Sequence, residues 1–252
     1  MLSFAFFFAL ISTFLEPKRV IHPMDIAILV DTSEGISSID FEREKNFVKS
    51  LVRSFTISSS LSRVSIMSYS NETDLTVNFA DQQTKESLIR RVDALPFLGG
   101  QTQIYQALET AAAQLFSPSG TARSAVPKTV VIVTTQCCQE RITGSSRLKE
   151  TVALLRRNGV KILVTAVCDD IHEEGLGTLV ENEEDIITAD SFEGLAEAAE
   201  KVSAAASQVA GIFVCPRIRL ADFFNFFFFY WEVPLPSTSA FIVVAYSSAS
   251  IS

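Results

Sequence analysis

Histidine is almost missing from this chain: His22 and His172 are the only two in 252 residues. Neither shows ligand spacing with the cysteines, which argues against a zinc site. So few bases also leave nucleophilic catalysis without its usual partner. The sequence has no Gly-x-Ser-x-Gly elbow, no Gly-x-x-x-x-Gly-Lys loop and no His-Glu-x-x-His pair, and these are the frames that carry hydrolase, nucleotide and metalloprotease chemistry. Gly175-Leu-Gly177 lacks the third glycine of a dinucleotide signature. Basic residues are in deficit, 21 Lys and Arg against 29 Asp and Glu, for a net charge of -8. Nucleic acid is therefore not an expected partner, because phosphate contacts need clustered Lys and Arg. No apolar run reaches the roughly 20 residues that span a bilayer, so no membrane span is expected. Cysteine is sparse, at Cys137, Cys138, Cys168 and Cys215, an even count that fits an oxidising compartment.

Apolar residues, by contrast, are plentiful at 48%, with 20% charged, enough for a sizeable core in one α/β domain with extensions. Residues 1–15 are nearly all apolar and read as a secretory signal peptide, although no Lys or Arg precedes the run and no clear cleavage triplet follows; a buried N-terminal segment is the alternative. Asn71-Glu72-Thr73 is an N-glycosylation sequon in an expected hairpin turn. Leader and sequon together point to a secreted, extracellular protein.

Between leader and tail, strands and helices alternate. Asp25–Asp31 is an apolar run closed by an aspartate, as in a strand buried on both faces of a parallel sheet. Ser37 and Asp40 form a capping-box-like helix start, followed by a helical stripe of Val48, Leu51, Val52 and Phe55. Arg63–Tyr69 and Thr73–Phe79 read as a hairpin. Helical spacing returns at Leu88, Val92 and Leu95, and at Ile104, Leu108, Ala111 and Leu115. Lys128–Thr135 and Val160–Val167 read as buried strands, with a helix through Leu148, Val152 and Leu155 between them that Asn158-Gly159 stops. Asp170 and Glu173 suggest another capping box, Asp185–Ala189 a short strand, and Phe192, Leu195, Ala199 and Val202 a final helix. Asp169-Asp170 and the acidic run from Glu181 to Asp185 read as solvated loop carboxylates. The pattern predicts an α/β fold: a doubly wound, mostly parallel sheet with one antiparallel edge strand and helices on both faces, over residues 25–209.

Residues 212–252 break that pattern. The aromatic cluster Phe223–Trp231 and the apolar run Ala240–Tyr246 have neither helical nor strand period. They read as a tail outside the folded domain, or as sequence that is not native coding sequence; a membrane-interface anchor is the other reading, since Trp and Tyr favour that region.

Ligands of open α/β sheets bind outside the carboxyl ends of the strands. Three polar segments fall there: Asp31-Thr32-Ser33-Glu34-Gly35 after the first strand, Gly99-Gly100-Gln101-Thr102 before a helix, and Thr134-Thr135-Gln136-Cys137 after the fourth strand. With Asp25–Ser33, Gly99–Leu108 and Asp190–Ala196, these resemble the von Willebrand factor type A family over about 185 residues. That resemblance implies a Rossmann-like fold and a ligand-binding module rather than an enzyme. It also implies a metal-ion-dependent adhesion site, whose family pattern is Asp-x-Ser-x-Ser, a distant Thr, and an Asp in Thr-Asp-Gly. Mg²⁺ takes hard oxygens in an octahedron, and one open position would accept an acidic side chain of a partner.

By position Asp31, Ser33 and Thr102 match that pattern. Gly35 stands at the second Ser and has no side-chain oxygen; Gln136 stands at the second Asp and brings no charge; Cys137 replaces the Gly. The expected site is degenerate, with Mg²⁺ held weakly or not at all. Without metal, Asp31 and Ser33 would cap the loop at a strand end, and Thr102 would cap the helix beside it. In the fold so implied, the loops after the fourth and fifth strands emerge on one face. A disulfide between Cys168 and Cys137 or Cys138 fits that placement, as do free, partly buried thiols. The resemblance implies a secreted matrix or adhesion module that binds a protein ligand, such as a matrix protein. The alternative is a structural matrix component using the domain as a spacer or for self-association.

Overall fold

In the computed structural model, residues 23–135, 146–167 and 173–209 are described. The signal-peptide and tail readings, Gln136, all four cysteines and the Asp170 cap lie outside them.

The first strand, β1 (Met24–Asp31), is buried along its whole length. A strand with no solvent-facing side cannot alternate apolar and polar residues, which is why its sequence is a continuous apolar run. It pairs in parallel with β2 (Ser62–Tyr69) on one side and β4 (Lys128–Thr134) on the other. Helix α1 (Ser38–Ser54) joins β1 to β2, and β3 (Thr73–Val77) folds back antiparallel on β2 as the edge strand. Helices α2 (Lys85–Asp93) and α3 (Ile104–Gln114) lead to β4. Then follow α4 (Ser146–Arg157), β5 (Val160–Val167), the single turn α5 (Glu173–Leu176), β6 (Ile186–Ala189) and α6 (Leu195–Val209). The order across the sheet is β3-β2-β1-β4-β5-β6. The chain thus winds outward from β1 in both directions, and the carboxyl ends of β1 and β4 flank the topological switch point, where such sheets leave a crevice.

The pleat of β1 divides its side chains between two cores. Ile26, Ile28 and Val30 pack with α1, α2 and α6, while Ala27 and Leu29 pack with α3 and α4. The expected fold class is the one observed. Corrections fall at the ends of elements. β3 stops at Val77 rather than Phe79, and α2 stops at Asp93, leaving Leu95 buried beyond it; Leu95 precedes Pro96, which disfavours helical backbone. Phe192–Gly194 is a 3-10 turn before α6. At the start of α1 the Ser37 hydroxyl accepts from the Asp40 amide at 3.1 Å and donates to its carboxylate at 2.6 Å, so the cap is real but the return bond is side chain to side chain. The full capping box belongs to Thr84 and Ser87 at α2. Asp185 is no solvated carboxylate: it is buried in a 3-10 turn, 2.7 Å from Lys161 Nζ.

At the amino end of β1 the Asp25 carboxylate is fully buried between two guanidinium groups. Arg63 donates to both its oxygens, at 3.1 and 2.9 Å. Arg123 donates through its backbone amide at 2.6 Å and through its side chain at 3.0 and 2.7 Å. Arg123 also reaches the Met24 and Leu61 carbonyls at 3.0 and 2.6 Å, tying the loop before β4 to the beginnings of β1 and β2. Burial pushes the Asp25 carboxyl up, but the bonds from Arg63 and Arg123 outweigh it and hold the group below the usual range.

Candidate functional site

Three loops meet at the carboxyl end of β1, and main-chain bonds join them. Thr32 donates its amide to the Tyr69 carbonyl at 2.9 Å, Gly99 to the Thr32 carbonyl at 2.9 Å, Glu34 to the Gly100 carbonyl at 2.9 Å, and Gln103 to the Ser70 carbonyl at 3.1 Å. The chain passes through this junction on two glycines with φ of 68° at Gly99 and 77° at Gly100, a region that side chains disfavour. At Gly100 there is a second reason: a Cβ would lie 2.2 Å from Asn71 Oδ1. The β2–β3 turn therefore packs directly on the backbone that delivers Thr102.

Asp31, Ser33 and Thr102 do converge. Asp31 is fully buried, and its Oδ1 accepts the Ser33 amide at 3.0 Å. Thr102 Oγ1 donates to Ser33 Oγ across 2.8 Å and lies 3.5 Å from Asp31 Oδ1. Asp31 thus caps its own loop, as one reading of the sequence had it. Thr102 does not cap α3: the N-cap residue is Gln103, with no side-chain capping bond, and the Thr102 hydroxyl is engaged at the cluster instead. Asp31 Oδ2 is buried without a partner in hydrogen-bond geometry. Burial raises the Asp31 carboxyl above the usual range, offset only in part by Ser33, Thr102 and the nearby Thr135 amide.

A residue that the sequence reading passed over sits on the helix that follows this loop. Glu44, on α1, is fully buried, and neither carboxylate oxygen has a partner. Burial, then the charges of Asp31 and Asp40, push its carboxyl well above the usual range. It falls on the same helical face as Phe41, Phe47, Val48 and Leu51; an acidic residue inside an apolar stripe was the available signal. Tyr69, beside Asp31 in the sheet register, sends its hydroxyl to the Val133 carbonyl at 2.8 Å, bridging from β2 across β1 to β4. Burial, then the Asp31 charge, hold its phenol well above the usual range.

The remaining predicted positions are placed as follows. At Gly35 an added Cβ would meet nothing within 4 Å, so the missing serine is a loss of chemistry and not of space. Asn71 is exposed at the β2–β3 turn, its Oδ1 accepting from Ser70 Oγ at 3.1 Å. Gln136, Cys137, Cys138 and Cys168 fall outside the described residues.

The family model for the von Willebrand factor type A domain matches residues 25–201. The chain belongs to this family. Among its relatives are rat von Willebrand factor, 27% identical over 47% of this chain and 28% of that protein, and human von Willebrand factor A domain-containing protein 2, 32% identical over 49% and 17%. The chicken collagen alpha-1(VI) chain is 29% identical over 65% and 16%. The chain spans less than a third of the length of each of these relatives. Proximal thread matrix protein 1 from the mussel byssus, solved with a zinc-occupied MIDAS motif, shares the fold at a TM-score of 0.67 and 21% identity, over 75% of this chain and 49% of that one.

Do the residues of this type A domain suit the cation that the family implies? In part they do. Asp31 offers an unpartnered buried carboxylate oxygen, and the Ser33 and Thr102 hydroxyls stand beside it. These are hard oxygen donors of the kind Mg²⁺ takes. Asp31, Ser33 and Thr102 would hold the ion, which would supply positive charge for an acidic group from outside.

Proposed function

We propose that this chain is a secreted extracellular-matrix or adhesion protein whose type A domain binds a protein ligand through the surface around Asp31, Ser33 and Thr102. The observation that carries this reading is the buried, half-satisfied Asp31 carboxylate beside a hydroxyl pair at the switch point of a type A fold. The relatives support the setting, since they include a collagen chain and, by fold, a thread matrix protein. Cation dependence is weaker than for a complete pattern, because Gly35 and Gln136 bring no charged donor. An N-glycan on Asn71 and a disulfide from Cys168 to Cys137 or Cys138 belong to the same extracellular reading.

The test is solid-phase binding of the full chain to immobilised collagen and other purified matrix proteins, with and without chelator, alongside Asp31→Ala. We expect saturable binding that Asp31→Ala lowers at least 10-fold, about 1.4 kcal/mol. Binding to none of the matrix proteins, together with concentration-dependent self-association that Asp31→Ala leaves unchanged, would favour the spacer reading instead.

A further inference from the structure

The turn between β2 and β3 rests on the loop that delivers Thr102, and its tip carries an acceptor for sugar. Asn71-Glu72-Thr73 has the Asn-x-Thr order that N-glycosylation requires, with no proline in the middle. Asn71 and Glu72 are both exposed, as a segment bearing a bulky, hydrated chain must be. The turn is also fixed in place. Ser70 closes it, its amide donating to the Glu72 carbonyl at 2.8 Å, and the Tyr69 and Ser70 carbonyls accept from the Thr32 and Gln103 amides at 2.9 and 3.1 Å. The Asn71 side chain is folded over Gly100. Its Oδ1 accepts from Ser70 Oγ at 3.1 Å and lies 2.2 Å from where a Gly100 Cβ would stand, whereas Nδ2 lies 3.6 Å from that point. Oδ1 is thus wedged against the backbone, and Nδ2, the atom that takes the sugar, is turned away from it. Gln101 and Thr102 follow Gly100 directly, so a glycan on Nδ2 starts at the edge of the Asp31, Ser33 and Thr102 cluster.

We propose that an N-linked glycan on Asn71 governs what can reach that cluster, standing at its β2–β3 edge as a covalent screen. In the modification Nδ2 bonds to the anomeric carbon of an oligosaccharide donor, the donor's diphosphate-linked carrier leaves, and one Nδ2 proton is lost. Oδ1 keeps its place on Gly100, so the sugar is added without dismantling the turn. The screen acts by size: small solutes pass, and a broad partner surface is held off from the β3 side. The inference rests on the secreted reading and its glycan, and it holds whether or not a matrix protein is the ligand.

The experiment uses the full chain secreted from a eukaryotic host, with intact mass read for the glycan. Amidase removal would leave an aspartate at position 71. The glycan is therefore withdrawn by Thr73→Val, which spoils the sequon and leaves Asn71 on Gly100; Thr73→Ser, which keeps the sequon, is the control. Trimming the wild-type glycan to its first sugar with an endoglycosidase gives the same comparison without a mutation. Access is read with no ligand present. Gln101→Cys places a thiol between Gly100 and Thr102, and Ser59→Cys places one beside Arg123 at the opposite end of β1, both at exposed positions. Each variant is labelled with N-ethylmaleimide and with a bulky polyethylene-glycol maleimide, and the labelling of the chain without the added thiol is subtracted. On the glycosylated Gln101→Cys chain the bulky reagent should react about 10-fold more slowly than on its Thr73→Val counterpart. The small reagent should react equally on both, and Ser59→Cys should show no difference with either reagent. Two results overturn the proposal: a secreted chain whose mass shows no glycan at Asn71, or equal rates of bulky labelling at Gln101→Cys with and without the glycan. A screened site on a chain that captures no matrix protein would leave this inference standing and remove the partner reading alone.

Discussion

β1 begins and ends on a buried aspartate, and the two are treated in opposite ways. Asp25 is enclosed by Arg63 and Arg123, and both its oxygens are hydrogen-bonded. Asp31, equally buried, receives a backbone amide and a distant hydroxyl on one oxygen and leaves the other unpartnered. On α1, Glu44 is a second buried carboxylate without a hydrogen-bond partner. A buried carboxylate paired with cations keeps its charge and fastens a structure, whereas one left unpaired is pushed toward its neutral form. The amino end of the sheet is therefore the fastened end, and the carboxyl end is the one that carries the unpaired acid.

The strongest way to break this contrast is to cut the clamp. Arg123→Ala removes one partner of a fully buried carboxylate and should cost about 3–5 kcal/mol, read from the denaturant midpoint; a loss under 1 kcal/mol would mean that Arg63 alone satisfies Asp25.

Acidity sharpens the contrast, because the two ends titrate in different windows and with opposite sign. Glu44 has a folded-state value raised above its ordinary 4.5. Below that value it is neutral in both states and imposes no penalty. As pH rises above 4.5 the unfolded chain ionises first, so the wild type loses stability relative to Glu44→Leu. At neutral pH in chelator the difference should be about 1–3 kcal/mol. Asp25 has a folded-state value lowered below its ordinary 3.8. Its contribution is complete above 3.8 and is lost as pH falls through the folded value. Melting curves of wild type, Glu44→Leu and Arg123→Ala from pH 7 to pH 3 would separate the two windows. A gap between wild type and Glu44→Leu that does not widen with pH would refute the assignment for the site end.

The smallest effect is expected at the glycine junction. Gly100→Ala must place a side chain at positive φ and against Asn71 Oδ1, which should lower stability by about 1–2 kcal/mol. Mn²⁺ affinity should fall with it, because Thr102 hangs from that backbone. An unchanged melting temperature would show that the turn at Asn71 gives way easily.

Much of this was legible in the residues. Periodicity located the elements of the sheet, and the three polar segments at strand ends brought Asp31, Ser33 and Thr102 together correctly. Side chains that defy their local pattern were not legible. Asp25 read as the polar start of an apolar run, and only the fold brings Arg63 and Arg123 to it from distant segments. Glu44 disappeared into a charged stretch, Glu42-Arg43-Glu44-Lys45, although it occupies the face set by Val48 and Leu51. Asp185 looked like one more acid in an acidic run until Lys161 on β5 was placed against it. For Asp25 and Asp185 the deciding partner is remote in sequence, and periodicity reports only on neighbours.

The junction of the three loops has one more consequence. Its bonds run from Thr32 to Tyr69, Gly99 to Thr32, Glu34 to Gly100 and Gln103 to Ser70, all through main-chain atoms. Such bonds are indifferent to which side chains decorate the loops. A lineage can therefore exchange a donor at position 35 or 136 while the mounting keeps its shape. Inheritance of this site is then inheritance of a frame, and its chemical selectivity is free to drift, fail and be rebuilt on the same fold.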